Sequence, residues 1–195
     1  LEAQRTSTEA ALESATDTDE MRTLSQQLEQ LGMIPVPEHH GLTGADPVLP
    51  AALVSDPTLA TSDGAFSDDA IRDECDFLDA LAAGLDPARS WISLANEPYT
   101  GSRSTAFDDF VVTLVRRLRS AGWTGIIVVP TARYCQDLGQ IANGDYNTLV
   151  DRLATHSVEH DLVWDWHCYG NNHDGVSASE YTYAEMDSQL STIRA

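Results

Sequence analysis

Residues 91–98 are WISLANEP, a short apolar run that ends on an amide, a carboxylate and a proline. The apolar residues predict a strand that is buried on both faces, as in a parallel sheet covered by helices. Pro98 has no N–H to donate to a sheet, so we expect the strand to stop with Asn96 and Glu97 at its carboxyl end. Ligands and chemistry lie at that end of the strands in parallel α/β folds. The stretch therefore predicts a functional carboxylate at Glu97.

Similar apolar segments recur on both sides of this stretch and alternate with helical patterns. Strands are predicted at 33–40, 125–130 and 162–167, although Pro35 and Pro37 weaken the first. Helical spacing of apolar residues predicts helices over 18–31, 67–84, 105–120, 149–156 and 177–193. Residues 1–17 form a polar segment, predicted as a loop or short helix, and 41–67 are predicted as a long irregular loop. The alternation is typical of a single α/β domain with a parallel sheet and right-handed crossovers, and no glycine-rich phosphate loop follows any strand.

The charge of the chain is strongly negative. Its 195 residues include 31 Asp and Glu against 11 cationic residues, all arginine, for a net charge of −20. Such a surface argues against nucleic acid or an anionic membrane as a partner, and no apolar run is long enough to span a membrane. It predicts adaptation to high salt, which screens the self-repulsion, with an acidic secreted enzyme from an organism with few lysine codons as the alternative. An extracellular location is expected, although no signal peptide is visible in this chain.

The cysteines and histidines do not form a recognisable metal motif. The three cysteines, at positions 75, 135 and 168, are an odd number without close spacing, so they allow at most one disulfide. Three histidines and Cys168 invite a metal interpretation, but HxH and HExxH pairs are missing. We therefore expect no metal and no cofactor. These histidines are His40, His167 and His173.

Polar residues cluster where the predicted strands end: Glu38 and His40, then Asn96 and Glu97, then Asp165, His167 and Tyr169. In a barrel the strand ends face one cavity, so these side chains would share it. Glu38 and Asp165 could equally form a buried polar network. By alternation, His39 is expected to pack outward, and Trp164 and Trp166 under the helices.

Four segments, in order, resemble glycoside hydrolase family 5, a member of clan A. Residues 96–98 (NEP) resemble the fourth-strand signature, and 38–44 (EHHGLTG) resemble the end of the third strand. Residues 118–137 resemble the fourth helix and fifth strand of the mannanase-like bacterial members, and 167–169 (HCY) resemble the sixth-strand His-x-Tyr element. The resemblance covers about residues 18 to 195. It implies a partial (β/α)8 TIM barrel that spans strands 3 to 6 with their helices, as one catalytic domain over 1–195.

The resemblance also implies a function. The implied function is retaining endo-β-glycosidase activity on β-1,4-linked polysaccharide or oligosaccharide. Mannan is favoured over cellulose as the substrate, and no cofactor is expected. Glu97 would be the general acid/base. Tyr134 stands where the family commonly has a tryptophan, so stacking on a sugar ring is still expected. The substrate-binding residues implied are Asn96, His40, His167, Tyr169 and Tyr134.

A retaining glycosidase needs two carboxyl groups about 5–5.5 Å apart. The family nucleophile is a glutamate that ends the seventh strand, and the sequence predicts no such strand before Ala195. We therefore expect the nucleophile outside this chain, an inactive or marginally active chain by itself, and a monomer when the protein is complete. Two alternatives remain open: a metal-dependent barrel hydrolase, which a strong chelator would inhibit, and a non-catalytic carbohydrate-binding barrel remnant, which would bind sugar without turnover.

Overall fold

A computed structural model of the chain describes residues 2–15, 17–45, 48–59, 69–136 and 138–167, and positions 188 and 191. No helix in these ranges is both long enough and apolar enough to cross a membrane. The elements, in chain order, are α1 (Glu2–Ser14), α2 (Thr18–Gln30), α3 (Ala51–Ser55), α4 (Asp69–Gly84), β1 (Ile92–Ser93), α5 (Thr105–Ser120), β2 (Ile127–Pro130), α6 (Ala132–Cys135), α7 (Leu138–Ala142), α8 (Asn147–Ala154) and β3 (Leu162–Asp165).

The three strands form one parallel sheet in the order β1-β2-β3. The register aligns Ile92 with Ile127, and Ile127 with Leu162. Helices connect each strand to the next, since α5 lies between β1 and β2, and α6 to α8 lie between β2 and β3. The predicted α/β class with a parallel sheet is therefore confirmed for the described residues.

The strand predicted at 33–40 is extended but is not part of the regular sheet. Carbonyl oxygens of Pro35, Pro37 and His39 accept hydrogen bonds from the β1 segment, at 3.1, 3.3 and 3.2 Å. A parallel ladder needs donors from both partners, and Pro35 and Pro37 have no N–H to return. The prediction of a fourth regular strand is thus wrong. Because of the two prolines, residues 33–40 accept hydrogen bonds from the β1 segment without the donors that a regular ladder needs.

One face of the sheet is covered by helices and supplies the core. Ile92 and Ile127 are 0% exposed there, together with Phe107 and Phe110 of α5. The opposite face, here called the open face, carries the alternate side chains of the strands. On it Val36 is 42% and Val163 38% exposed. Alternation places Glu38, His40, Glu97, Asp165 and His167 at the carboxyl end of this open face.

The helices largely follow their sequence patterns. The helix predicted over 105–120 is confirmed, and it begins at Ser104, whose hydroxyl accepts a hydrogen bond from Phe107 N. The Asp17 carboxylate caps α2, which is followed by Gly32 at a φ of +77° that suits glycine. The helix predicted over 149–156 is shifted to Asn147–Ala154.

Several details differ from the sequence predictions. Residues 2–14 form the short helix that was one of the two options. The region predicted as an irregular loop over 41–67 contains α3, and α6 and α7 were not predicted. α3 is stabilised by a contact with another helix, because Arg116 Nη1 of α5 donates a hydrogen bond to Val54 O. The helix predicted at 177–193 lies outside the described residues, apart from positions 188 and 191, which are helical.

Candidate active site

Glu97 lies four residues after the end of β1 and adopts a backbone conformation that is unusual for its residue type. Its φ is +41°, in the left-handed region that costs free energy for a residue with a Cβ. Its carbonyl oxygen accepts a hydrogen bond from Gly44 N at 3.1 Å, so the loop after residue 40 is fastened to this turn. Strained backbone of this kind tends to occur where a side chain must be held for function.

His167 bridges two carboxylates at the carboxyl end of the open face. Its Nδ1 lies 2.7 Å from Glu97 Oε1, and its Nε2 lies 3.0 Å from Asp165 Oδ2. The hydrogen bond to Asp165, joined by the one to Glu97, raises the pKa of His167 to about 9 against the opposing effect of burial. The imidazole is therefore cationic at neutral pH and donates a hydrogen bond to each of the two carboxyl groups.

Asn96 is oriented by hydrogen bonds to its neighbours. It is 6% exposed, and its Nδ2 donates to the Thr43 hydroxyl at 3.0 Å. The same hydroxyl donates to the Asn96 carbonyl oxygen at 3.2 Å, which fixes the loop and the amide together. The Nδ1 of His40 lies 3.5 Å from Asn96 Nδ2. The amide is thus held beside Glu97 without an additional charge.

Glu38 and His40 lie at the rim of this group. His40 Nε2 is 3.4 Å from Glu38 Oε1, and the His40 side chain is 68% exposed. Burial raises the pKa of the Glu38 carboxyl, and the Asp165 charge adds to the effect while His40 and His167 oppose it. His40 is therefore the most solvent-accessible of these side chains and can reach a ligand above the open face.

Tyr134 lies on a second strained turn, which contacts the loop after Glu97. Arg133, Tyr134 and Cys135 have consecutive φ values of 55°, 58° and 58°. The turn is tied to the loop after Glu97, because Tyr134 N donates to Tyr99 O at 3.3 Å. Tyr134 is 40% exposed. Its Cε1 atom lies 3.4 Å from the position that a Cβ atom would occupy if Gly44 carried a side chain. An exposed ring at this place can stack on an apolar face of a ligand.

The structure thus brings together five of the six site residues expected from the sequence: Glu97, Asn96, His40, His167 and Tyr134. Tyr169 lies outside the described residues, as do Cys168 and His173. The side chain of His39 points to the helix-covered side, where it stacks against Phe77 and bonds Glu74 at 3.1 Å. Trp164 also lies on that side, with its ring 5.0 Å from that of Tyr146.

Cys135 is a residue that the sequence did not indicate. Its side chain is buried, and the thiol lies against the Asp165 carboxyl and the backbone N–H groups of Thr131 and Glu97. Burial, with the Asp165 charge, raises the pKa of the thiol well above its usual range. Cys75 and Cys135 are both free thiols. The position just after β2 was the available signal, since strand ends are where site residues gather.

An oriented carboxyl group, a cationic imidazole, a fixed amide and an exposed aromatic ring lie together at this site. They lie at the carboxyl ends of parallel strands, as chemistry does in parallel α/β folds. The chain is therefore an α/β protein with a candidate acid/base site at the strand ends.

Comparison with known proteins shows which fold this is. No protein-family model and no curated protein sequence matches the chain. Solved structures of β-mannanases do match. The catalytic domain of the mannanase from Streptomyces sp. SirexAA-E matches with a TM-score of 0.61 and 19% identity over 93% of this chain and 49% of that one. The β-mannanase from Streptomyces thermolilacinus matches with a TM-score of 0.61 and 17% identity over 92% of this chain and 51% of that one.

A third similar structure is the mannohexaose complex of the Thermomonospora fusca β-mannanase. Its TM-score is 0.60, at 18% identity over 92% of this chain and 52% of the mannanase chain. At such identities the likeness establishes a mannanase-like fold. The chain spans about half the length of the solved mannanases that it matches.

Proposed function

We propose that this chain is the acid/base-bearing part of a (β/α)8-barrel glycoside hydrolase of family 5, a retaining endo-β-glycosidase for β-1,4-linked mannan. Glu97 is the general acid/base. Asn96, His40, His167, Tyr134 and Tyr169 bind the substrate, and the role of Tyr169 rests on the sequence resemblance alone. The substrate is a polysaccharide or oligosaccharide, and neither nucleic acid nor membrane is a partner.

The hydrogen bond between Glu97 and His167 is the observation that carries this proposal. It fixes the carboxyl group at 2.7 Å from an imidazole, at a strand end, while the Glu97 side chain keeps 16% of its surface exposed. A carboxyl group that is both oriented and accessible is what general acid/base catalysis needs. Two of the similar structures are β-mannanase complexes with mannohexaose and mannotriose, which supports a β-mannan as substrate.

The chemistry follows from two carboxyl groups. In the first step Glu97 gives its proton to the glycosidic oxygen while a carboxylate nucleophile attacks the anomeric carbon, so the glycosidic bond breaks and a glycosyl-enzyme ester forms. In the second step the Glu97 carboxylate takes a proton from water, whose oxygen displaces the nucleophile. In this proposal Asn96 hydrogen-bonds a sugar hydroxyl without adding charge to the site.

The nucleophile of this proposal comes from a strand outside the chain. Within the described residues, Glu38 and Asp165 are the other carboxyl groups of the site, at 3.4 Å from His40 and 3.0 Å from His167, and the family resemblance assigns the nucleophile to neither. The open face supports the same proposal, because partly exposed valines such as Val36 and Val163 suit the interior of a barrel closed by further strands. The 195-residue chain alone should then hydrolyse mannan barely or not at all.

The test compares this chain with the longest natural polypeptide that contains it, on β-1,4-mannan and on carboxymethyl cellulose. The longer polypeptide should prefer mannan, and NMR of the first products should show retention of anomeric configuration. Glu97→Gln should lower the rate by about 10²–10⁴-fold, whereas Glu159→Gln, an exposed glutamate remote from the site, should not.

Each part of the proposal can fail separately. A preference for cellulose would refute the substrate, and inversion would refute the retaining mechanism. Binding of mannohexaose without turnover in the longer polypeptide would favour the non-catalytic carbohydrate-binding alternative.

A further inference from the structure

Three potential metal ligands meet beside Glu97, and the proposed hydrolysis gives a role to only one of them, His167. The Cys135 sulfur, a carboxylate oxygen of Asp165 and a ring nitrogen of His167 all lie within 4.8 Å of one another. They come from two segments joined by a short backbone hydrogen bond, since His167 N donates to Cys135 O at 2.7 Å. The cluster is therefore part of the hydrogen-bonded backbone at the strand ends.

The donor set suits a transition metal. One sulfur, one imidazole nitrogen and one carboxylate oxygen are ligands that Zn²⁺ accepts, at about 2.3, 2.0–2.1 and 2.0–2.2 Å respectively. Mg²⁺ and Ca²⁺ prefer oxygen ligands only, so the thiol discriminates against them. Asp165 Oδ2 and His167 Nε2 are already 3.0 Å apart, which is close to the separation of two ligands of a single ion.

The second nitrogen of His167 has the partner expected of a metal-binding histidine. A ligating histidine almost always donates its other ring N–H to a carboxylate, a carbonyl or water, which fixes the ring and strengthens the ligand. Here Nδ1 lies 2.7 Å from Glu97 Oε1, and Nε2 faces Asp165. The backbone N–H groups of Thr131 and Glu97 lie against the Cys135 sulfur, which is otherwise buried.

We propose that Cys135, Asp165 and His167 bind one divalent transition-metal ion, such as Zn²⁺ or Co²⁺, with Glu97 as the outer partner of His167. On binding, a metal–sulfur bond replaces the S–H bond of Cys135, a metal–nitrogen bond replaces the Nε2–H bond of the cationic His167, and both protons go to solvent. The ion then draws His167 and Asp165 away from their present hydrogen bond. Binding does not depend on the proposed glycosidase activity, and it would lower that activity where both exist.

The test titrates the 195-residue chain with Co²⁺ in excess Mg²⁺, which occupies the carboxylates of the acidic surface. A near-ultraviolet thiolate-to-cobalt absorption should appear and saturate at one ion per chain. Cys135→Ser should abolish it, whereas Cys75→Ser and Cys168→Ser should retain it. Glu97→Gln should weaken binding by about 10–100-fold, as loss of an outer partner does.

A second measurement does not require a folded cysteine variant. Peptide mass mapping follows the alkylation of each cysteine in the unaltered chain. Zn²⁺ should slow the alkylation of Cys135 and leave the rate at Cys75 unchanged. Absence of the cobalt absorption, its loss in Cys168→Ser with retention in Cys135→Ser, or equal alkylation rates at Cys135 with and without Zn²⁺ would each overturn the proposal.

Discussion

Replacing Glu74 by glutamine should flatten the dependence of stability on pH. Glu74 of α4 is 0% exposed, and its Oε1 has no hydrogen-bond partner among the described residues. Its Oε2 lies 3.1 Å from His39 Nδ1. Burial raises the pKa of this carboxyl from 4.5 to about 7, although the hydrogen bond to His39 opposes the shift. The charge of Glu38 raises this pKa further, so burial and a neighbouring carboxylate both disfavour the ionised form of Glu74.

The sign of the effect follows from the direction of the shift. A carboxyl whose pKa is higher in the folded protein binds its proton more tightly there than in the unfolded chain. Its contribution to stability is full below pH 4.5 and is lost as the pH rises through 7. The pKa of His39 is also raised, chiefly by its hydrogen bond to Glu74, and therefore acts in the same direction. A shift from 4.5 to about 7 corresponds to about 3 kcal/mol.

Chemical denaturation of the chain and of Glu74→Gln, at about pH 5 and about pH 8 in high salt, measures this effect. The free energy of unfolding of the unaltered chain should fall by about 2–3 kcal/mol more than that of Glu74→Gln over this range. The difference between the two proteins removes the general effect of the −20 net charge, which both share within one unit. Glu159→Gln is the matched control on an exposed residue. Parallel curves for the chain and Glu74→Gln would refute the reasoning.

Three further predictions concern stability. Because the net charge is −20, raising NaCl from low to molar concentration should raise the Tm by at least about 4 °C, and an unchanged Tm would contradict salt adaptation. Arg117→Met should lower the free energy of unfolding by about 2–4 kcal/mol, because Arg117 bonds both Asp79 oxygens and the carbonyls of Pro57 and Leu59. The neighbouring Arg116→Met, which removes one bond to a carbonyl, is its control and should cost less. Ser104→Ala should cost about 1 kcal/mol by denaturation, because the α5 cap is lost; an unchanged stability would mean that the cap contributes nothing.

The elements that could be predicted are those whose causes are local. α5 has its apolar periodicity and its capping serine within the helix and the residue before it, so its bounds followed from the sequence. By contrast, α3 is stabilised by a hydrogen bond from Arg116 of α5, which is about sixty residues away. Residues 33–40 showed an apolar strand pattern, but whether a strand is regular depends on donors that Pro35 and Pro37 lack.

In the candidate site, too, the residues with local sequence signals could be predicted and those that depend on distant contacts could not. Glu97, Asn96 and His167 could be predicted because polar residues that end apolar strands are conspicuous in a sequence. Cys135 was missed although it follows β2, because cysteine counts as apolar in such patterns and its contact with Asp165 joins residues thirty positions apart. The bridging of His167 between two carboxylates was also hidden, because it depends on how β1 and β3 are spaced across the sheet.

The central claim is that Glu97 protonates the leaving oxygen, and leaving-group dependence tests it most directly. In the longest natural polypeptide, Glu97→Ala should slow bond cleavage in mannohexaose by about 10²–10⁴-fold, because a sugar alkoxide leaves poorly without a proton. With a dinitrophenyl β-mannoside, whose leaving group needs no proton, the single-turnover release of dinitrophenol should change by less than about 10-fold. Equal losses on both substrates, or no loss on mannohexaose, would contradict the assignment of Glu97.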